Sequence, residues 1–224
     1  MSLVLISSKY SNEMQDALTR DGHAIVPVGP CEAVSEPVSC HPDIYFCRLG
    51  TTPKSPVFQG DAALLGSEYP ADVLYNAVVT EKYMICNPKT VSKDLISAAK
   101  ELYPDIIMIN VAQGYTKCNV AVVDERSFIT EDDGIYKALC GFSDIRCLKI
   151  SPGYVKLPGF SRGFIGGASG RIGDEIWFNG DISVHPDYES IKGFIEDSGL
   201  KIRYIPGMDL IDIGSIIESD VIKI

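Results

Sequence analysis

The sequence predicts an α/β fold: small mixed sheets repeated around an axis as a propeller, with helices outside. Two observations carry that expectation. A strand–strand–helix–strand unit recurs along the chain, about four times, with a shortened first copy. Two strands precede each helix, which excludes a simple doubly wound sheet, where strand and helix alternate strictly. A ββαβ unit of this size cannot bury its apolar faces alone, so the copies must pack on one another.

The chain opens with the apolar run "LVLIS", read as a first strand, followed by the helix "SNEMQDALTRDG" and the strand "HAIVPVG". Ser11 can cap the helix and Gly22 sits where it stops. "HPDIYFCRLG", from His41, reads as a further strand, with Asp43 and Cys47 on one face and Cys40 on the other. "VVTEKYMICN" from Val78 and "VVDERSFITE" from Val122 share one pattern: apolar pair, polar residue, Glu, base, then an alternating strand. Each leads into a helix ("TVSKDLISAAKELYP", "DDGIYKALCGF") and then a strand ending in glycine ("DIIMINVAQG", "DIRCLKISPG"). The third copy runs "DEIWFNGD", "HPDYESIKGFIEDSG", "LKIRYIPG". Ser92 suits an N-cap, Pro186 a first helical turn, and Gly141 and Gly199 helix ends.

With 224 residues, 46% hydrophobic and 22% charged, the chain has the apolar material for a sizeable core and is read as a single domain, 1–224. No basic residue precedes the short apolar start, so it is not a signal peptide. No run approaches the ~18 apolar residues of a membrane span, so no membrane partner is expected and the cytoplasm is the expected compartment. The net charge of −10 argues against nucleic acid and leaves room for a cationic small molecule. Seven cysteines, an odd number, read as reduced thiols. Cys40, His41, Asp43 and Cys47 lack the close cysteine pair of a zinc site, so no metal is expected, nor any cofactor.

Five glycines lie between Gly163 and Gly173. No lysine followed by Ser or Thr stands at P-loop spacing, and "DEIWFN" after the glycines reads as a strand where a dinucleotide fingerprint needs a helix. The run is therefore read as a loop joining two strands. Its glycines serve tight geometry, or let a backbone at Gly167 approach a small ligand closely. Asn179, Asp181 and His185 follow within one strand.

The repeat resembles the pentein fold of the guanidine-modifying enzymes, among them arginine deiminases and dimethylarginine hydrolases. "HPDIYFCRLG" is similar to a strand those enzymes place in an early repeat. "GGASG" with "NGDISVH" resembles the Gly-rich entry of their later, histidine-bearing repeat. "QGYTKCNVAVVDE", "GFIGGASG" and "DIGSIIE" resemble a bacterial group of that fold. The resemblance implies a site at the propeller axis where carboxylates hold a guanidine-like cation, a cysteine thiolate attacks it and a histidine activates water. It also implies a nucleophile near the C-terminus, yet the last cysteine here is Cys147.

His185 stands either as the base, oriented by Asp181 or Asp187, or as a helix-start residue. Cys118, beside Lys117, reads as a relocated nucleophile or as a buried strand cysteine. Asp43, Asn119, Gly167, Asn179 and Asp212 are candidates for substrate binding. The two asparagines equally suit turns, and Asp209 and Asp212 equally suit solvated turns. Ser215 in "DIGSII" resembles no nucleophile elbow. Three functions stay open. They are an unorthodox hydrolase or transferase on guanidine-like groups, a non-catalytic small-molecule binder, and an interaction platform like the pentein-fold translation initiation factor 6. Oligomeric state is left open.

Overall fold

The alternating apolar runs fold into small sheets, which a computed structural model describes over residues 2–219. Residue 1 and residues 220–224, the two ends of the expected 1–224 unit, lie outside the described residues. In chain order the elements are β1 (Leu3–Ser7), α1 (Asn12–Arg20), β2 (Ala24–Val28), β3 (Phe46–Arg48) and β4 (Val57–Gln59). Next come β5 (Val78–Val79), β6 (Tyr83–Cys86), α2 (Lys93–Leu102), β7 (Ile107–Asn110) and the single turn α3 (Thr116–Asn119). Then follow β8 (Val120–Val122), β9 (Ser127–Thr130), α4 (Asp133–Leu139) and β10 (Arg146–Lys149). The chain finishes with β11 (Ser169–Ile172), β12 (Glu175–Phe178), α5 (Tyr188–Glu196), β13 (Lys201–Arg203) and β14 (Ile217–Ser219).

The fold is mixed α/β, and the described residues form four three-stranded sheets and one two-stranded sheet. β5, β6 and β7 show the repeated plan. β5 pairs antiparallel with β6, and α2 carries the chain over to β7, which lies parallel to β6. β8–β9–β10 around α4 and β11–β12–β13 around α5 repeat it. The shortened first copy is completed from the far end of the chain. β1 and β2 pair in parallel across α1, and β14 supplies the missing antiparallel strand, with Leu5 opposite Ile217.

Sequence and structure differ in three places that bear on the site. First, the stretch from His41 is not one strand: Pro42 starts a 3₁₀ turn over Pro42–Ile44, and only Phe46–Arg48 are extended. Asp43 therefore does not share a strand face with Cys47. The strand instead pairs with β4 in a helix-free hairpin, a fifth unit beyond the four expected. Second, the glycine run is not all loop, because β11 lies within it and turns into β12 at Gly173, whose φ is +58°. Third, Cys118 lies on the helical turn α3 and not on a strand. Helix ends follow the local rules more closely. Ser11 Oγ accepts from Met14 N at 3.1 Å, and Gly22 and Gly199 take φ of +84° and +74°. Pro186 falls just before the α5 cap, Asp187, so that helix begins two residues later than the proline suggests.

Apolar faces are shared between neighbouring sheets. Val4, Ile6, Met14 and Leu18 pack with Trp177 and Ile213, while Ala121 and Ile129 join Ile176, Phe178 and Ile191 in one cluster. The leading strands also touch one another: β3 meets β5 and β14, and β11 meets β8 and β14. Gly170 sits at the β11–β14 seam, where a Cβ would run into the Ile216 carbonyl. No helix among the described residues is long and apolar enough to cross a membrane.

If that seam closes the fold, Gly170→Ala should lower stability by about 1–3 kcal/mol, the usual cost of overpacking. Urea denaturation would read it. An unchanged midpoint would show that β11 and β14 need not approach so closely.

Candidate functional site

Five separate stretches of chain meet at one buried place, four bringing polar side chains and one a bare backbone. The 3₁₀ turn after His41 carries Asp43, whose N–H donates to Gly214 O at 3.0 Å. Asn76 comes from the turn before β5, and α3 presents Lys117 and Cys118 side by side. The glycine run supplies Gly166 O and Gly167. The approach to β14 supplies Asp212 and Ser215. Ser215 is the one non-glycine among the described residues with positive φ, +74°, and Ser215 N donates to Gly167 O at 2.7 Å. A serine in this left-handed region is strained by about 1 kcal/mol or more, so the surroundings hold it there. Gly214 beside it must be glycine, since a Cβ would collide with His41.

Asp43 is the hub. Its Oδ2 accepts from Ser215 Oγ at 2.7 Å and from the Cys118 thiol at 3.3 Å. Its Oδ1 is buried and has no hydrogen-bond partner. Asn76 locks the cysteine from both sides. Its Nδ2 donates to Cys118 Sγ at 3.1 Å, and its Oδ1 accepts from Lys117 N and Cys118 N at 2.7 and 3.2 Å. Lys117 Nζ donates to Ser215 Oγ at 3.0 Å and Gly166 O at 3.1 Å. Asp212 accepts one backbone N–H on each oxygen, from Phe164 and Gly214, both at 3.0 Å. His41 Nδ1 lies 3.8 Å from Asp212 Oδ1. The aromatic rings of Tyr115 and Phe164 lie stacked with centroids 6.5 Å apart, and the Tyr115 hydroxyl is tied to Asp72.

Burial sets the ionisation of the cluster. It pushes the Cys118 thiol well above its usual value, and the Asp43 and Asp212 charges push the same way. It raises Asp212 to about 7, with Asp43 adding to the shift. It lowers His41 and the Lys117 ammonium, and Asp43 opposes both shifts. Cys118 at rest is therefore a neutral thiol that donates to a carboxylate.

Four of the residues read from the sequence meet here: Asp43, Cys118, Asp212 and Gly167, the last packed so closely on Asp212 that a Cβ would strike the carboxylate. The others serve elsewhere. Asn119 Nδ2 donates to Tyr115 O at 2.9 Å and closes the α3 turn. Asn179 Nδ2 donates to Ile211 O at 3.0 Å, tying the end of β12 to the residue before Asp212. Asp181 does not orient His185; it caps the next turn, accepting from Ser183 N at 3.0 Å and Gly207 N at 2.7 Å. His185 Nδ1 accepts from Asp187 N at 3.0 Å, and its ring packs 5.0 Å from that of Tyr154. No hydrogen bond, ion pair or ring contact among the described residues joins His185 or Asp181 to Cys118. Asp209 is a surface acid paired with Lys156 at 2.7 Å. From the sequence, Asn76 carries no signal, Ser215 is considered only as a nucleophile elbow, and His41 only as a metal ligand. The Gly214–Ser215 pair after Asp212 was the one local sign available. Among the described residues no group of three or more His, Cys, Asp or Glu is placed to hold a metal.

Residues 5–217 match the model of the family of unknown function DUF6873, and the chain belongs to that family. Neither a curated protein nor a solved structure matches it.

Asp212 gives a pH signature. Its carboxyl rises from 3.8 to about 7 on folding, so between those values the folded chain keeps a proton that the unfolded chain releases. Its contribution to stability therefore falls as pH rises through that window and is level above it. Asp212→Asn should flatten the slope of unfolding free energy against pH there by up to about 1.4 kcal/mol per pH unit. The lost acceptor shifts the whole curve without changing its slope. An unaltered slope would mean that Asp212 ionises as an ordinary carboxylate. Cysteine reactivity gives a separate check. Iodoacetamide should modify exposed Cys140 well before Cys118 in the folded protein, as mapped by peptide mass spectrometry.

Proposed function

We propose that the chain is a small-molecule-binding protein of pentein-type α/β propeller architecture. In this reading its five units stand round one axis, and the acid cluster on that axis receives an amidinium or guanidinium group. Three features support the propeller: the repeated strand plan, the contacts between leading strands, and the completion of the first sheet by β14. Seven free cysteines suit a reducing compartment, and we place the protein in the cytoplasm.

One observation carries the ligand reading. Asp43 is fully buried, yet one of its two carboxylate oxygens has no donor. An unsatisfied buried acceptor costs about 1–3 kcal/mol, and more when charged. A flat cation with several N–H groups supplies the missing donor, and Asp212 beside it is a second acceptor. The resting state favours binding over covalent chemistry, because the thiol is protonated. A bound cation would oppose the two carboxylate charges that hold it so. Cys118 would then be turned toward thiolate by the substrate itself, which is the route open to a hydrolase or transferase reading.

Benzamidine and its neutral isostere benzamide separate charge recognition from shape. Benzamidine should raise the unfolding midpoint in a saturable way, by about 2.7 kcal/mol of stability at a hundred times Kd, while benzamide should not. Asp43→Asn keeps an acceptor for Ser215 and Cys118 and should abolish the response. Equal responses to both compounds, or none to either, would overturn the reading.

A further inference from the structure

A second feature lies on the other side of Lys117. The leading strands leave a cavity of about 50 Å³ between them, bordered by residues of β3, β5, β8, β11 and β14. The charged residues that border it are Arg48, Lys117 and Arg171, and no Asp or Glu borders it. In a chain of net charge −10, three cations around one small space are not an average of the composition.

Their partners can be counted. Arg48 gives Nη2 to Glu218 at 3.0 Å and Thr52 O at 2.8 Å, and Nη1 to Arg171 O at 2.9 Å. Its Nε–H is buried without a partner. Arg171 gives Nε to Gly173 O and Nη1 to Val123 O, both at 3.0 Å, and forms no ion pair among the described residues. Lys117 has three donor hydrogens; two are given to Ser215 Oγ and Gly166 O. Glu218 thus answers Arg48 and Asp43 answers Lys117 through Ser215, while Arg171 has no close ion pair and meets only the more distant charge of Asp174. A guanidinium with an orphaned N–H and a second guanidinium without a close ion pair belong to residues bordering a single cavity.

We infer that this cavity binds a small monovalent anion of halide to nitrate size, held between Arg48 and Arg171. A volume near 50 Å³ takes one or two water-sized species, which leaves no room for a phosphorylated metabolite. The anion also completes the charge pattern of the axis: it favours the ammonium form of Lys117, and Lys117 is the group shared with the acid cluster. This site stands on the cavity and its cations, and holds whether or not the acid cluster binds an amidinium.

Sodium chloride titrations of the thermal midpoint test it on the whole chain. The unaltered protein should gain about 4 °C, saturably, at ten times Kd. Arg20→Gln, which removes an exposed cation of α1, should gain as much, and Arg171→Gln should gain nothing. An equal gain in Arg171→Gln would overturn the inference, since the effect would then be general salt stabilisation. Should Arg171→Gln not fold, crystals of the unaltered protein grown in bromide decide the matter. An anomalous peak in the cavity beside Arg48 and Arg171 supports the site, and its absence overturns it. Loss of the benzamidine response alone would leave this result unchanged, so the two readings fail separately.

Discussion

Asp43 stands where water cannot replace a partner it loses, and the rest of the site is arranged around that constraint. One of its oxygens gathers a hydroxyl 172 positions further along the chain and a thiol 75 positions further along. A buried carboxylate without such donors would be expelled or protonated. The donors in turn have fixed places. Ser215 reaches Asp43 only through a left-handed backbone, which Gly214 prepares and which two bonds to Gly167 O, from Ile213 and Ser215, pin down. Gly166 and Gly167 are bare because a side chain on either would displace α3 or the Asp212 carboxylate. Of the glycines in that run, Gly166 and Gly167 thus serve close packing at this cluster, Gly170 the seam with β14 and Gly173 the turn into β12.

The same centre explains the chain's path. Asp43 is early and Ser215 late, and they meet because β14 returns to complete the sheet that β1 began. No polar contact between them can form until the last strand docks, so the site is assembled only when β14 pairs with β1. A chain whose ends were merely adjacent would not need its first and last strands paired residue by residue. Here Leu3, Val4 and Leu5 each face a partner in β14.

What the sequence made legible was local. Helix caps at Ser11 and Ser92, the glycine stops, and the strand–strand–helix–strand order all arise from neighbours along the chain, and they appear where expected. β3 and β4 are three residues each, too short to display an alternation that could be told from chance, so their hairpin escaped notice. Pro42 broke a strand whose letters otherwise alternated well. In the site, Asp43, Cys118, Gly167 and Asp212 could be singled out by residue type and by resemblance. Asn76 could not, because an asparagine before a strand has ordinary turn duty and only the fold places it against a thiol. His185 and Asp181 differ in the opposite way: their sequence context suits a base and its orienting acid, while in the structure they cap the following turns and stand apart from the cluster.

The choice of lysine at position 117 is the strongest argument that the centre is more than packing. A structural core at this place could be apolar at no loss of stability, since buried ion pairs seldom outweigh their desolvation. An arginine there would be charged permanently, whatever its neighbours. Lysine offers three freely directed hydrogens and an ammonium whose proton affinity burial has already lowered. On one side it faces Asp43, whose free oxygen lacks a donor; on the other it borders the cavity it shares with Arg48, whose Nε–H lacks an acceptor, and Arg171, which has no close ion pair. A charge gained on either side changes the balance at Lys117, and through Ser215 at Asp43. Groups so placed are costly to bury and respond strongly to small charged species, which is the property a binding site needs and an inert core avoids.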